Sequence, residues 1–128
     1  MECVLALSAG SIILVEDDAA LRRLSTTVLT REGYAVHSFE DGEAALAFLE
    51  TAGEEGLLAT DMTLPGMNGI ELAHEFRAQR SETPILIMSG HTMEEIKTQG
   101  GLPRGSTYLQ KPIGLAPFRE TVATLLGE

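Results

Sequence analysis

Five short runs along the chain are apolar enough to be buried strands: residues 11–15, 35–39, 57–61, 85–88 and 107–110. Ser11-Ile12-Ile13-Leu14-Val15 and Ile85-Leu86-Ile87-Met88 are nearly continuous in aliphatic side chains, as expected of strands covered on both faces. Between the strands, apolar residues recur at helical spacing. Leu21, Leu24, Val28 and Leu29 predict a helix over 19–32, ended by Gly33. Ala44, Ala45, Leu46, Phe48 and Leu49 predict a second, starting at Asp41 or Gly42. Ile70, Leu72, Ala73 and Phe76 predict a third over 69–80, and Phe118, Val122, Leu125 and Leu126 predict the last over 115–126. Residues 93–99 can form only a short helix, because Gly100-Gly101-Leu102-Pro103 interrupts it. Gly53-Glu54-Glu55-Gly56 reads as a turn and Ser81-Glu82-Thr83-Pro84 as a loop.

Strands alternating with helices imply a parallel sheet with helices on both faces. Right-handed crossovers leave few arrangements. At this size the expectation is a single flavodoxin-like (βα)5 domain, α/β in class, with strand order 2-1-3-4-5. Its crevice lies at the carboxyl ends of strands 1 and 3.

Polar residues follow four of the strands: Glu16 and Asp17 after the first, Asp61 at the end of the third, Ser89 after the fourth and Lys111 after the fifth. A parallel sheet brings all of these to one edge. The second strand, ending in Phe39-Glu40-Asp41, belongs at the sheet margin. Three carboxylates in one crevice repel one another, and a hard divalent cation relieves the conflict. Mg2+ suits it, since it takes oxygen ligands and pairs carboxylates with phosphate oxygens. With Lys111 and one Mg2+ the site is near neutral and ready for an incoming phosphoryl group. Phosphoryl transfer depends mostly on positioning and charge neutralisation, and a carboxylate such as Asp61 can be the nucleophile. The Ser89 hydroxyl can donate to the new phosphoryl oxygens.

Composition narrows the classes. The 128 residues suit one domain, and 44% hydrophobic with 22% charged residues is a globular balance. A net charge of -10 argues against sequence-independent binding to nucleic acid or to an anionic membrane. The single cysteine, Cys3, excludes an internal disulfide and is compatible with a cytoplasmic location. Residues 1–10 carry no Lys or Arg and too short an apolar stretch for a signal peptide, so they read as an extension or linker before a domain at 11–127. No run approaches the roughly 18 apolar residues of a membrane span.

The motifs together resemble the receiver domain of two-component response regulators, the CheY-like family. The likeness runs over about residues 11–127. It rests on Ile-Leu-Val-Glu-Asp-Asp at 13–18, Asp61 with Leu64-Pro65-Gly66-Met67-Asn68-Gly69, Met88-Ser89-Gly90, and Tyr108-Leu109-Gln110-Lys111-Pro112. The resemblance implies that Asp61 is the phosphoacceptor and that Asp17 binds Mg2+ directly, with Glu16 acting through water. It implies a metal contact from the Thr63 backbone carbonyl, a switch role for Ser89 and Tyr108, and a lysine role for Lys111 with a cis peptide before Pro112. The implied donor is a histidine kinase or histidine phosphotransfer protein. The implied output is a change in the face made by the fourth helix, fifth strand and fifth helix, read by a protein partner. Beyond self-catalysed phosphoryl transfer and autodephosphorylation, no enzyme activity is implied.

Some residues depart from the common pattern. The acidic pair is Glu-Asp, Gly90 stands where a small Ala is usual, and His91 occupies a position that in the family tunes loss of the phosphoryl group. Asp18 reads as an N-terminal helix acid rather than a ligand. His37 and His74 fall away from the crevice, and Met62, Met67, Met88 and Met93 read as packing. The chain stops directly after the last helix, so the expectation is a single-domain regulator or the receiver of a hybrid sensor kinase, with the motif wording favouring the latter. Two other classes stay open: a receiver-like binding module that is never phosphorylated, and an aspartate-nucleophile phosphohydrolase. The second usually carries an acid two residues after its nucleophile, where this chain has Thr63.

Overall fold

A computed structural model describes residues 10–51 and 55–127. The expected N-terminal extension with Cys3, and part of the turn at Gly53-Glu54-Glu55-Gly56, lie outside the described residues. Strands β1 (Ser11–Val15), β2 (Ala35–Phe39), β3 (Leu57–Asp61), β4 (Ile85–Ser89) and β5 (Ser106–Gln110) alternate with helices α1 (Ala19–Arg31), α2 (Gly42–Thr51), α3 (Gly69–Gln79), α4 (Met93–Thr98) and α5 (Leu115–Leu125). All strand pairs are parallel, in the order β2-β1-β3-β4-β5. This is the doubly wound arrangement the alternation predicts, and its bounds lie within a residue or two of the sequence reading. Among the described residues no helix is long and apolar enough to cross a membrane.

The strands' period of two divides the apolar residues between two layers. Ile13, Val15, Leu58, Ile85 and Ile87 face the α2–α3–α4 side, where Leu72 and Phe76 meet them. Ile12, Leu14, Leu57, Ala59 and Leu86 face the α1–α5 side, against Leu29, Phe118 and Val122. Both faces are buried, so the central strands read as unbroken apolar runs.

The first helix departs from expectation. Leu21 and Leu24 were expected in its buried stripe, but they are 43% and 47% exposed, and Leu29 is the residue fully buried. The reason is the gap between α1 and α5. Leu21 and Leu24 line a groove of about 490 Å³ there, with Ile113, Leu115, Phe118 and Lys111 on its other walls.

Helix α4 is six residues long, as the glycines require. Gly100 and Gly101 adopt φ of +109° and +69°, and Gly101 N–H closes onto the Ile96 carbonyl at 3.1 Å. An L side chain is strained in that region, which is why the helix stops here. The following loop is held by α3. His74 Nε2 lies 3.0 Å from the Gly101 carbonyl, and the buried Arg77 guanidinium donates to the carbonyls of Arg104 and Thr83 at 2.9 and 2.7 Å. Of these three hydrogen bonds, the ones to Gly101 and Arg104 hold the glycine-rich loop beside the sheet, and the one to Thr83 ties in the loop before β4.

Gly69 connects the fold to its carboxyl edge. A Cβ there would lie 2.3 Å from the Asp61 carbonyl oxygen and 2.7 Å from Met62 Cα, both backbone atoms with no room to give. The Gly69 N–H donates to the Met62 carbonyl at 2.7 Å, so the close approach is also bonded. Substitution Gly69→Ala is expected to cost about 1–3 kcal/mol, the usual range for overpacking, measured as a lower urea midpoint.

Candidate functional site

The carboxyl ends of β1, β3, β4 and β5 converge on one edge, and backbone bonds continue the strand ladders past their ends. Met62 N–H donates to Met88 O at 2.9 Å, Lys111 N–H to Ser89 O at 2.7 Å, and Glu16 N–H to Phe39 O at 3.0 Å. The spacing of Asp61, Ser89 and Lys111 is therefore set by the sheet rather than by loops.

Lys111 reaches back over the edge. Its Nζ lies 2.7 Å from Asp61 Oδ1 and 3.8 Å from Glu16 Oε1. The peptide bond between Lys111 and Pro112 is cis. Carboxylate oxygens of Glu16, Asp17 and Asp61 all lie within 4.8 Å of one another. Glu16 and Asp61 are buried and Asp17 is exposed. Thr63 is exposed two residues past Asp61. Asp18 stands apart from the cluster. Its side chain caps α1 by accepting from the N–H groups of Ala20 and Leu21 at 2.9 and 3.0 Å, the arrangement expected of an N-terminal acid.

Burial is the first cause of the electrostatics here. It pushes the Asp61 carboxyl above the ordinary range, although the hydrogen bond and charge of Lys111 pull the other way. Burial likewise raises Glu16, helped by the neighbouring Asp61 charge and opposed by the Asp18 N–H donated to its carboxylate. For Lys111, burial works against the ammonium but is outweighed by Asp61, Glu16 and Asp17, so its pKa is raised. One lysine does not offset three acids. Three oxygen donors within reach of one another, two of them held in a poorly hydrated place, fit a hard divalent cation.

Three further residues shape the site. The Arg22 guanidinium, one turn into α1, donates to the Glu16 carbonyl at 2.8 Å and so holds the loop that carries the acidic pair. An arginine four residues after the helix cap is the only signal for this in the sequence. Ser89 is buried, and its hydroxyl donates to Met62 Sδ at 3.4 Å while accepting from the His91 N–H at 2.9 Å. Met62 therefore touches a site hydroxyl as well as packing in the core, which nothing in the sequence marks. Tyr108 is half-buried against the α2–α3–α4 layer, and its hydroxyl donates to the His91 carbonyl. The backbone of His91 thus joins Ser89 to Tyr108. His37 is exposed on β2 beside Phe48, and His74 binds the α4–β5 loop, so neither enters the crevice.

Residues 12–123 match the family model for the response regulator receiver domain. The transcriptional regulatory protein FixJ of Bradyrhizobium diazoefficiens is 35% identical over 103 residues, covering 80% of this chain and 50% of its own length. The chain spans about half the length of the curated relatives it matches. The receiver domain of the hybrid histidine kinase CckA superposes with a TM-score of 0.78 at 33% identity, over 91% of this chain and 99% of that one. The response regulator TrrA of Thermotoga maritima, solved in complex with Mg2+ and beryllofluoride, gives 0.76 at 26% identity, over 90% and 97%.

The raised carboxyls make a pH prediction for the metal-free protein. A group whose pKa is raised on folding stabilises the fold below its ordinary value, and that contribution is lost as pH climbs through the raised one. Stability relative to a Glu16→Gln, Asp61→Asn double variant is therefore expected to fall between the ordinary carboxylate range and neutrality. Thermal unfolding of both proteins across that interval, in chelator, measures the difference.

Proposed function

The chain belongs to the response regulator receiver domain family, and from that membership we propose that it is a phosphoaccepting receiver of a two-component phosphorelay, with Asp61 as acceptor. The observation that carries this reading is Lys111 Nζ at 2.7 Å from Asp61 Oδ1, beside an acid cluster spanning less than 4.8 Å.

The chemistry follows from the residues. An Asp61 carboxylate oxygen attacks the phosphorus of a phosphohistidine on a histidine kinase or phosphotransfer protein. The P–N bond breaks, the P–O bond forms, and the imidazole leaves. Lys111, already paired with Asp61, is placed to take up charge on the transferred group. Glu16, Asp17, Asp61 and the Thr63 carbonyl would hold Mg2+, which when bound neutralises phosphoryl oxygens that the acids would otherwise repel. Ser89 then turns its hydroxyl to a phosphoryl oxygen, and Tyr108, joined to it through His91, changes position at the α4–β5–α5 face. The apolar groove between α1 and α5 opens beside Lys111, where an amphipathic helix of the donor can approach Asp61. We place the chain in the cytoplasm, and the likeness to the receiver of a hybrid histidine kinase favours a receiver carried by such a kinase.

Incubation with Mg2+ and acetyl phosphate is expected to give a single phosphoryl adduct by intact mass, absent in Asp61→Asn and absent when Mg2+ is chelated. Lys111→Ala is expected to slow adduct formation by on the order of 100-fold. No adduct on the wild-type chain, together with no Mg2+ binding by calorimetry, would sink the reading.

A further inference from the structure

Ser89 ends β4 and is 2% exposed, so its hydroxyl is withdrawn from bulk water as it stands. The hydroxyl donates instead to Met62 Sδ, 3.4 Å away. Met62 follows Asp61 directly and is 3% exposed. Two backbone bonds fix it, its own N–H to Met88 O at 2.9 Å and Gly69 N–H to its carbonyl at 2.7 Å. The Met62 backbone is therefore fixed by the same ladder that places Asp61, and burial of the side chain keeps the sulfur beside the hydroxyl.

A thioether is a weak acceptor, while an anionic phosphoryl oxygen is a strong one. A backbone carbonyl or carboxylate at the same point would hold the hydroxyl too firmly, and a hydrocarbon would leave a buried donor unpaired. We infer that Met62 is a positioning residue for the switch. Its sulfur parks the Ser89 hydroxyl in the resting state with a bond weak enough to be surrendered when an anionic oxygen arrives on Asp61. The strength of the acceptor at position 62 then sets how readily Ser89 engages. The inference rests on the phosphoacceptor reading of Asp61 and adds a residue to it.

The second contact on Ser89 supports a parked state. His91 N–H donates to the same oxygen at 2.9 Å, and the His91 carbonyl accepts from Tyr108. Departure of Ser89 from Met62 thus also breaks its bond to the residue that holds Tyr108. A change of acceptor at 62 therefore has a route to the aromatic position through Ser89 and His91.

The test is a double-mutant cycle with beryllofluoride as the phosphoryl stand-in, titrated in the presence of Mg2+ and followed by amide resonances. Met62→Leu keeps the volume and removes the acceptor, so it is expected to bind beryllofluoride about threefold more tightly, in keeping with loss of one weak hydrogen bond from the resting state. In a Ser89→Ala background the same substitution is expected to change nothing, because no hydroxyl remains to be parked. Thermal unfolding checks each variant, and Met62→Ile replaces Met62→Leu if the latter does not fold. An equal effect in both backgrounds means packing alone and overturns the inference, as does unchanged affinity in Met62→Leu. A wild-type chain that binds no beryllofluoride and gains no phosphoryl adduct overturns the phosphoacceptor reading itself, and the inference with it.

Discussion

The structure turns on the burial of like charges at one edge of a parallel sheet. Glu16 and Asp61 are withdrawn from water and stand beside Asp17, and the sheet gives them no choice of distance. Lys111 relieves part of the repulsion, since it sits close to Asp61 and farther from Glu16. Burial first, and the neighbouring acid charges after it, leave Glu16 and Asp61 ionising less readily than they would in water. A site in this condition has a standing demand for positive charge. The demand is local and strong because burial weakens solvent screening.

That arrangement costs stability, and the core offsets it. Both faces of the central strands are covered, and the largest fully buried side chains come from β1, β3 and β4 and from the helices over them. The strands that supply the most apolar contact are the ones that end in the acids and Ser89. Rigidity and chemistry therefore share the same segments. The short approach of Gly69 to the Asp61 carbonyl fixes the loop after β3 from the other side.

The contacts that lead out of the site are weak ones. Ser89 is held by a sulfur and a backbone N–H, and Tyr108 by a backbone carbonyl of the same residue that serves Ser89. Helix α4, next in the chain, is short and capped by a Thr92–Glu95 pair. Its far end is pinned to α3 through Arg77 and His74 rather than by further helical turns. The segment between His91 and Gly101 is thus held at one end by single hydrogen bonds to Ser89 and Tyr108 and at the other by α3.

Much of this was legible from residue order. Apolar runs and helical spacing identified all ten elements, and parallel topology alone brings Glu16, Asp17, Asp61, Ser89 and Lys111 to one edge, because every strand's carboxyl end points the same way. The four glycine and proline residues at 100–105 announced a short α4, since backbone preference is a local property. Other features had no local signature. Leu21 and Leu24 have the spacing of a buried stripe, yet whether a stripe is covered depends on how far α5 stands from α1. Arg22, Arg77 and Met62 act on atoms 6 to 28 positions away, counted along the chain, with partners chosen by packing. The sequence determined which groups meet, through strand order and polarity. Only the tertiary structure decided their distances, their burial and hence their charge, because desolvation is a property of the assembled surroundings and not of any residue alone.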